Sequence, residues 1–360
     1  MMKCKIVYLV VLLFLVGCQS RNNINGDMIF SRADFKETKV MENPEEIVIE
    51  DLLYPASFRV MCDSILVVGN QSVCEYQLEL YSLNTLKPIK QLITKGNGPN
   101  EMFSCGLMLH TNQDKAFYLQ DSNAGVCYVT DMKSLLENAA FTPLDKFHYS
   151  SEILNTTDIC LMGDNRYVGY HMWYLEDKDF SQVESPLAYY AYNDNSGRGM
   201  QDFPYFVASV TGARFFKNPK TGQIWTFDYY RDRIQVYDDS LKVVASMEGP
   251  DHFNPSYTKR AINAPVAFVT FGGGLFYAAY TDYYLTDKHI YVVYQGTKNF
   301  NPEELPSVEI FKLDFDGNLL CNYKFDRYVY SVSVDSKEKY LYVASRKSVD
   351  EPPVILRYEL

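Results

Sequence analysis

Six hairpin patterns recur along this 360-residue sequence and constrain its fold more than any other feature. Each pattern consists of a short apolar strand, a tight polar turn and a second strand rich in Tyr, Val and Ile. The turns use Asn, Asp, Ser, Lys and Gly, several of which tolerate tight backbone geometry and bond their own amide groups. The six segments are residues 58–70, 106–121, 158–171, 213–228, 283–294 and 330–345.

A third strand follows each hairpin, and most of the units continue into a fourth strand. Two units show the same internal spacing: Asp121 and Asp228 follow the second strands, and Asp131 and Asp238 close the next strands ten residues later. Repeated four-stranded units predict an all-β protein, a six-bladed β-propeller with antiparallel blades. The only helical pattern, residues 131–140, is short enough to be a helix within a loop.

The two ends of the chain are predicted to close the ring. The last unit stops after its third strand, at Leu360, which leaves a sheet edge without a partner. Residues 45–52 form an unassigned strand pattern with alternating apolar residues. Because an open edge invites mispairing, we expect this N-terminal strand to pair with the C-terminal blade.

The N-terminus has the features of an export signal. Lys3 and Lys5 precede an apolar run, residues 6–17, which is too short to span a membrane. Its end, Leu-Val-Gly followed by Cys18, resembles the lipobox of bacterial lipoproteins. The alternative is an ordinary signal peptide that contains a cysteine. The resemblance implies a signal peptide at 1–17, a lipidated tether at 18–44 and one propeller domain at 45–360.

The lipobox resemblance also implies where the protein resides. Lipid on Cys18 would hold it at the bacterial outer membrane. Gln19 stands where an Asp tends to retain lipoproteins at the inner membrane, and no acidic cluster of the kind used for surface export follows the cysteine. We therefore favour a protein that faces the periplasm over one at the cell surface.

The composition limits the partners of the protein. The full sequence has a net charge of −11 and no basic run, which argues against nucleic acid as a partner. We expect a monomer. Six cysteines remain after the signal and the anchor, and none forms a Cys-x-x-Cys pair. We interpret them as small buried hydrophobic residues and keep disulfides as the alternative. They are Cys62, Cys74, Cys105, Cys127, Cys160 and Cys321.

The sequence KGNGPNEM, residues 95–102, connects the first and second units. It is not a phosphate-binding loop, because no Gly-Lys-Ser/Thr follows and Pro99 lacks an amide proton. It resembles the GxGPGEF signature of the TolB-like six-bladed propeller lipoproteins of Bacteroidetes, with Asn100 in place of a glycine and Met102 in place of the aromatic residue. Residues 224–238 also resemble an NHL-type blade. The resemblance implies the same fold and carries no assigned catalytic residues.

Propellers bind ligands where the connections between blades cluster around the central channel. By this topology we expect a ligand site for a small molecule, glycan, peptide or partner protein, built from charged residues and a tyrosine. The alternative is that the arginines pair with inner carboxylates to hold blades together and that Glu101 caps amides of its loop. The candidate residues are Arg59, Lys95, Asn97, Glu101, Arg214, Tyr229 and Arg231.

No catalytic constellation stands out in the sequence. It contains no Gly-x-Ser-x-Gly elbow and no pair of histidines at metal-ligand spacing. We therefore favour a recognition or scaffold module over an enzyme, without a cofactor. The alternative is a hydrolase, lactonase or lyase that holds a divalent metal such as calcium in the channel. Its candidate ligands are Glu101, Asp121, Asp158 and Asp228.

Overall fold

The repeated hairpins fold into antiparallel sheets arranged around a channel, so the prediction of an all-β propeller is confirmed. In the computed structural model the chain is described over a set of segments. They are residues 26–49, 52, 55–70, 74–96, 98, 100–103, 105–108, 117–121, 124–148, 159–163, 165–170, 187–191, 214–253, 257–261, 267–271, 278–297, 305–348 and 350–360.

Three short strands precede the hairpins, and three sheets follow them. The early strands are β1 (Gly26–Ile29), β2 (Glu37–Val40) and β3 (Glu45–Ile47). Sheet 1 contains β4 (Pro55–Met61), β5 (Ile65–Asn70), β6 (Tyr76–Ser82), β7 (Pro88–Lys95) and β8 (Glu101–Met102). Sheet 2 contains β9 (Gly106–Met108), β10 (Phe117–Asp121), β11 (Val126–Thr130) and β12 (Asp145–His148). Sheet 3 contains β13 (Cys160–Gly163), β14 (Arg166–Tyr170) and β15 (Leu187–Ala191).

The second half of the chain contributes three further sheets and one separate hairpin. Sheet 4 is built on β16 (Arg214–Lys217), β17 (Ile224–Phe227), β18 (Arg233–Tyr237) and β19 (Val243–Glu248). The hairpin pairs β20 (Tyr257–Ala261) with β21 (Ala267–Phe271). Sheet 5 is built on β22 (Ala278–Leu285), β23 (His289–Thr297), β24 (Glu309–Asp314) and β25 (Leu319–Lys324). Sheet 6 is built on β26 (Tyr328–Val334), β27 (Tyr340–Arg346) and β28 (Val354–Glu359).

The sheets differ in the number of strands that the described residues supply. Sheets 1, 2, 4, 5 and 6 have four or five strands each, whereas sheet 3 has three. The sequence pattern predicts a fourth strand in most of the units. For sheet 3, the residues that follow β15 lie outside the described segments.

Strand direction divides the propeller into two faces. The first strand of each sheet is the innermost, and the strands alternate in direction outward from it. The turns between second and third strands therefore share one face with the connections to the next sheet, and we call it the crossover face. The turns between first and second strands lie on the opposite face.

The predicted pairing of the chain ends is present. Strand β3 pairs antiparallel with β28, with Ile47 opposite Ile355 and Glu45 opposite Arg357. An ion pair joins the side chains of Arg357 and Glu45. The strand is shorter than the predicted 45–52, although Ile49 and Leu52 are still buried against sheets 1 and 6.

Residues 26–47 form an N-terminal strap around the outer edges of three sheets. Strand β1 pairs in parallel with β19 of sheet 4, and β2 pairs in parallel with β25 of sheet 5. Residues 18–44 were predicted to be a tether, and the described part of that segment, residues 26–44, packs on the propeller. Strands β1 and β2 have only four residues each. An alternation of apolar and polar residues over so short a stretch does not identify a strand in the sequence before its pairing partner is known.

The strap is fixed between sheets 4 and 5 by packing and by charge. Phe30 and Phe35 are buried against Phe311. Arg32 donates bonds of 2.8 and 2.9 Å to both carboxylate oxygens of Asp251 and a bond of 2.6 Å to Glu309. The strap therefore joins sheets 4, 5 and 6 through backbone and side-chain contacts.

The core lies between neighbouring sheets and consists of alternating apolar residues of the strands. Within the described residues the six cysteines form no disulfide, and four of them are buried. Cys62 is an exception to the prediction, because it lies exposed in the turn between β4 and β5, with a φ of 51°. The helical pattern at 131–140 forms a short helix, α1 (Met132–Glu137), capped by the Asp131 carboxylate. Over the described segments, no helix has the length and apolar character needed to cross a bilayer.

Candidate functional site

A buried ion pair joins the inner strands of sheets 1 and 5. Arg59 on β4 donates to both carboxylate oxygens of Asp282 on β22, at 3.0 and 3.2 Å. Ser331 on β26 lies between them, 3.1 Å from Arg59 and 2.9 Å from Asp282. The exposed fractions of the two charged side chains are only 7% and 12%. The cluster links sheets 1, 5 and 6. Arg59 therefore fits the alternative interpretation, in which it pairs with an inner carboxylate and holds sheets together.

Above this ion pair, sheet 4 brings aromatic and basic side chains to the crossover face. Tyr229 and Tyr230 lie in the turn between β17 and β18, and their rings meet edge to face with centroids 4.6 Å apart. The backbone carbonyl of Tyr229 accepts a bond from the amide of Ala279 at the start of β22. The Nε of Arg214, the first residue of β16, donates to the carbonyl of Thr281 at 3.4 Å, and Thr281 also lies on β22. Sheet 4 therefore holds this group against the inner strand of sheet 5.

Sheet 6 contributes a second aromatic and basic group at the same end of the channel. Tyr328 and Tyr330 lie at the start of the inner strand β26, with their rings stacked at 6.1 Å. The Arg346 guanidinium, at the end of β27, lies 5.9 Å from the ring of Tyr330. The hydroxyl of Tyr330 donates to the carbonyl of Pro55, the first residue of β4. The Nε of Arg346 is buried and finds no hydrogen-bond partner within the described segments.

The two groups are close enough for the phenol of Tyr229 to act electrostatically on that of Tyr328. Burial, and then the neighbouring phenol of Tyr229, raise the pKa of Tyr328 to about 12. Burial also raises the pKa of Tyr229, and the charge of Arg214 opposes that shift. Both phenols therefore stay protonated near neutral pH. We call Arg214, Tyr229, Tyr230, Tyr328, Tyr330 and Arg346 the tyrosine–arginine rim.

Arg231, which was predicted to be a ligand-binding residue, follows Tyr230 in the turn between β17 and β18, and its side chain is held within sheet 4. Its side chain is buried and its Nε donates to Asp228, while its Nη2 donates to Gln235 at 2.9 Å. Burial raises the pKa of the Asp228 carboxyl, and the Arg231 guanidinium opposes the shift. Arg231 thus compensates the charge of Asp228, a fully buried acid inside sheet 4. The surrounding sequence of charged residues and tyrosines does not reveal this role.

The loop that resembles the family signature lies at the outer edge of sheet 1. The Glu101 carboxylate accepts a 2.7 Å bond from the amide of Gly98, and a Cβ on Gly96 would lie 2.0 Å from the same carboxylate. This accounts for the two glycines and the acid of the motif. Glu101 lines a cleft of about 680 Å³ with Tyr128 and Phe141 of sheet 2 rather than the channel mouth. Lys95 ends β7 and is exposed, and Asn97 lies outside the described residues.

The carboxylates considered as metal ligands are held separately. Asp121 accepts bonds from the amides of Phe103 and Ala124, Asp228 pairs with Arg231, and Glu101 folds onto its own loop. Asp158 lies outside the described residues. Across the described part of the chain, no three or more His, Cys, Asp or Glu side chains converge to hold a metal ion.

Part of the tyrosine–arginine rim was predictable from the sequence. Arg214 was predicted as a charged residue on an inner strand, and Tyr229 as a tyrosine in the turn between the second and third strands of the fourth unit. Tyr330 begins the sixth predicted hairpin, 330–345, and Tyr328 and Arg346 lie just outside it, so none of the three was predicted as a site residue. All three lie near the start of a first strand or the end of a second strand. Listing the residues at these positions in every unit would have identified them.

The fold agrees with comparisons to known proteins. A solved member of the DUF4221 family from Bacteroides vulgatus superposes with a TM-score of 0.56 at 11% identity, covering 88% of this chain and 96% of its own. A putative exported protein from Bacteroides fragilis gives a TM-score of 0.49 at 9% identity, covering 93% of this chain and 99% of its own. No curated protein sequence matches the chain.

A family model described as TolB-like 6-blade propeller-like matches residues 34–337. The match begins in the N-terminal strap and ends in the first turn of sheet 6, so it spans nearly all the sheets described above. The chain therefore belongs to the TolB-like 6-blade propeller-like family.

Proposed function

We propose that this protein is an exported lipoprotein whose six-bladed propeller binds a ligand at the tyrosine–arginine rim without transforming it. The observation that carries the proposal is the convergence of four tyrosines and two arginines from sheets 4 and 6 on one end of the channel. These side chains are half-buried and belong to rigid strands or tight turns, which suits a preformed binding site.

The chemistry of the rim favours a ligand with a carboxylate next to a flat apolar surface. Arginine forms paired hydrogen bonds with carboxylates, and the buried Nε of Arg346 is a donor that lacks a partner in the described residues. Tyrosine rings can stack on a sugar ring or a peptide side chain. An acidic glycan and a peptide with a free carboxylate share these features.

Recognition fits the rim better than catalysis does. A general base or nucleophile needs a partner within hydrogen-bond reach in the site, and the described rim offers phenols and guanidinium groups with no carboxylate or histidine among them. Asp282, on the inner strand of sheet 5, is neutralised by Arg59. The rim can therefore bind and orient a ligand, while it lacks a group to abstract or donate a proton near neutral pH.

Two further elements of the proposal concern the whole molecule. We count sheet 3 as a blade, so that the ring contains six blades in agreement with the description of the family. We also assign lipid to Cys18 and place the protein at the outer membrane, facing the periplasm, on the basis of the lipobox-like sequence. Replacing Cys18→Ser should prevent incorporation of a labelled fatty acid, and labelling that persists would refute the anchor.

A binding screen with matched variants tests the ligand site. The probes are a panel of neutral and acidic oligosaccharides and of peptides with free or amidated C-termini. The double variant Tyr330→Ala with Arg346→Ala should lose binding at least about tenfold, which is the effect of removing one or two good contacts. The control is Tyr340→Ala with Arg357→Ala, a tyrosine–arginine pair 4.7 Å apart toward the opposite face of the same sheet. Equal losses in both variants, or metal-dependent turnover of a probe, would refute the proposal.

A further inference from the structure

The cleft of about 680 Å³ between sheets 1 and 2 shares no residue with the tyrosine–arginine rim. One of its walls comes from the loop that carries Glu101, at the outer edge of sheet 1. The other wall comes from β11, from β12 and from the residues that precede β12. The volume lies within the range of pockets that bind small molecules, so the cleft has room for a ligand of its own.

The floor of the cleft is apolar and firmly packed. Met102 on β8 is 1% exposed, and Phe141, which precedes β12, is 4% exposed. The half-buried ring of Tyr128 on β11 meets Phe141 edge to face, with centroids 5.7 Å apart. All three side chains pack in one hydrophobic cluster. The floor is therefore a preformed surface on which an apolar stem can lie.

Two carboxylates and one ammonium complete the described lining. Glu101 accepts the amide of Gly98 through Oε2, and Asp145 accepts the amide of Lys146 through Oδ1. Within the described segments, the second oxygen of each carboxylate has no hydrogen-bond donor. The lining therefore carries one more negative charge than positive charges, and both acids can accept further bonds.

Lys146 limits the kind of ligand that the cleft accepts. It lies opposite Tyr128 in the pairing of β11 with β12, so the two side chains are neighbours on one face of sheet 2. Its side chain is exposed and forms no ion pair with any residue of the described segments. A ligand with one positive charge can bind the acids, whereas further positive charge on the side of sheet 2 meets repulsion from Lys146.

From these features we propose that the cleft binds an alkylammonium group on an apolar stem, as carried by a lysine side chain or by a free alkylamine. The free oxygens of Glu101 and Asp145 accept bonds from the ammonium, and such charge-assisted bonds are stronger than bonds between neutral groups. The methylene stem lies on Met102, Tyr128 and Phe141, as lysine stems commonly lie along apolar surfaces while their charge stays at the edge. Glu101 thus has a ligand-binding role away from the channel mouth.

Methyl NMR at Met102 tests the site. The protein is prepared with ¹³C-labelled methionine methyl groups, and the signal of Met102 is identified by its loss in Met102→Leu. The probes are pentylamine, the peptide acetyl-Ala-Lys-Ala-amide, and the same peptide with norleucine in place of lysine. The Met102 signal should shift with the amine or the lysine peptide and stay in place with the norleucine peptide. The tighter of the two positively charged probes distinguishes a free amine from a peptide as the source of the ammonium. No shift with either one, or an equal shift with norleucine, would overturn the proposal.

Matched charge variants separate ligand binding from support of the loop. Glu101→Gln keeps an oxygen for the Gly98 amide, yet it should weaken binding at least about tenfold, because a charge-assisted bond is lost. Asp145→Asn, at an exposed residue outside that loop, should weaken binding in the same direction. Lys146→Gln should tighten binding about twofold, since it removes a like charge. The control is Glu137→Gln, an exposed residue of α1 that is not part of the lining, and it should leave binding unchanged.

The opposite pattern of affinities would contradict the proposal. If pentanoate shifts the Met102 signal and the amine does not, and if Lys146→Gln abolishes that shift, the cleft is a site for anions. If Glu101→Gln and Asp145→Asn both bind the lysine peptide as tightly as the native protein, the two acids only support their own segments of the chain.

Discussion

Arg59 and Asp282 form a paired ion bridge between two sheets that are not neighbours. Both terminal nitrogens of the arginine contact the carboxylate, at 3.0 and 3.2 Å, across the inner strand of sheet 6. The hydroxyl of Ser331 and the amide of Val332 complete the bonds to Asp282 at 2.9 and 3.0 Å. The channel is thereby braced where the last sheet meets the first.

The bridge leads to a prediction about stability. Replacing Arg59→Ala leaves the Asp282 carboxylate buried without a cation, and we expect a loss of about 3–5 kcal/mol in the free energy of unfolding. The double change Arg59→Met with Asp282→Leu should recover most of that loss. Denaturant titration measures both, and an unchanged midpoint for Arg59→Ala would show that the pair does not brace the ring.

Glu338 should make stability depend on acid pH. Its carboxylate accepts bonds from Tyr291 and Lys312 and contacts His289 at 2.6 Å. Burial opposes ionisation, but these bonds and that of Thr286 together lower the pKa of Glu338 to about 2 from 4.5. The stabilisation is complete above pH 4.5 and disappears as the pH falls through 2. Between pH 5 and pH 3 the native protein should lose about 2 kcal/mol more than Glu338→Gln does.

Other acids also change the free energy of unfolding with pH. The contribution of Glu338 is therefore measured as the difference between the pH profiles of the native protein and Glu338→Gln. Burial raises the pKa of Asp232 to about 6, and this group contributes in the opposite sense: stability falls as the pH rises from about 4 to 6. Glu359→Gln, at a side chain 72% exposed, serves as the control. Parallel profiles for the native protein and Glu338→Gln would contradict the assignment.

The contact between Gly249 and the strap predicts a local effect. Gly249→Ala would place a methyl group 2.0 Å from the Phe30 carbonyl oxygen, so β1 must move away from sheet 4. We expect a loss of about 2 kcal/mol or more and faster hydrogen exchange of the amides of residues 28–30. Gly163→Ala is the matched control, because its φ is also positive, at 82°, but no atom lies near the added carbon. Similar exchange at β1 in both variants would argue against a fixed strap.

Closure of the ring by the chain ends predicts the effect of a truncation. Removing residues 354–360 deletes β28, which pairs with β27 on one side and β3 on the other. We expect a loss of several kcal/mol, since each sheet is stabilised by burial against its neighbours. A melting temperature equal to that of the full chain would contradict this account of closure.

The sequence predicts those parts of the fold that local rules govern. Turns such as that at Asp287 and Lys288 are determined by neighbouring residues, and the corresponding hairpin between β22 and β23 is present as predicted. The capping of α1 by Asp131 is local in the same way. The antiparallel pairing of β3 with β28 was predictable because an open edge needs a partner.

Contacts between residues far apart in the chain were not predictable in the same way. Arg59 and Asp282 are 223 positions apart, and neither is marked by its neighbours as half of a pair. The parallel pairing of β1 with β19 depends on an edge that exists only after the ring has formed. The predicted position of Glu101 at the channel mouth differs from its place at the outer edge because its connection runs along β7 before it turns inward.

The central claim is that the tyrosine–arginine rim binds a ligand that carries a carboxylate. The most direct measurement is a titration of the native protein, of Tyr330→Ala with Arg346→Ala, and of Tyr340→Ala with Arg357→Ala, using the best probe from the screen in its free-acid and amidated forms. We predict binding by the native protein and the Tyr340–Arg357 variant, with at least about a tenfold loss for the rim variant and for the amidated probe. Binding that survives the rim substitutions, in a variant with an unchanged melting temperature, would contradict the claim.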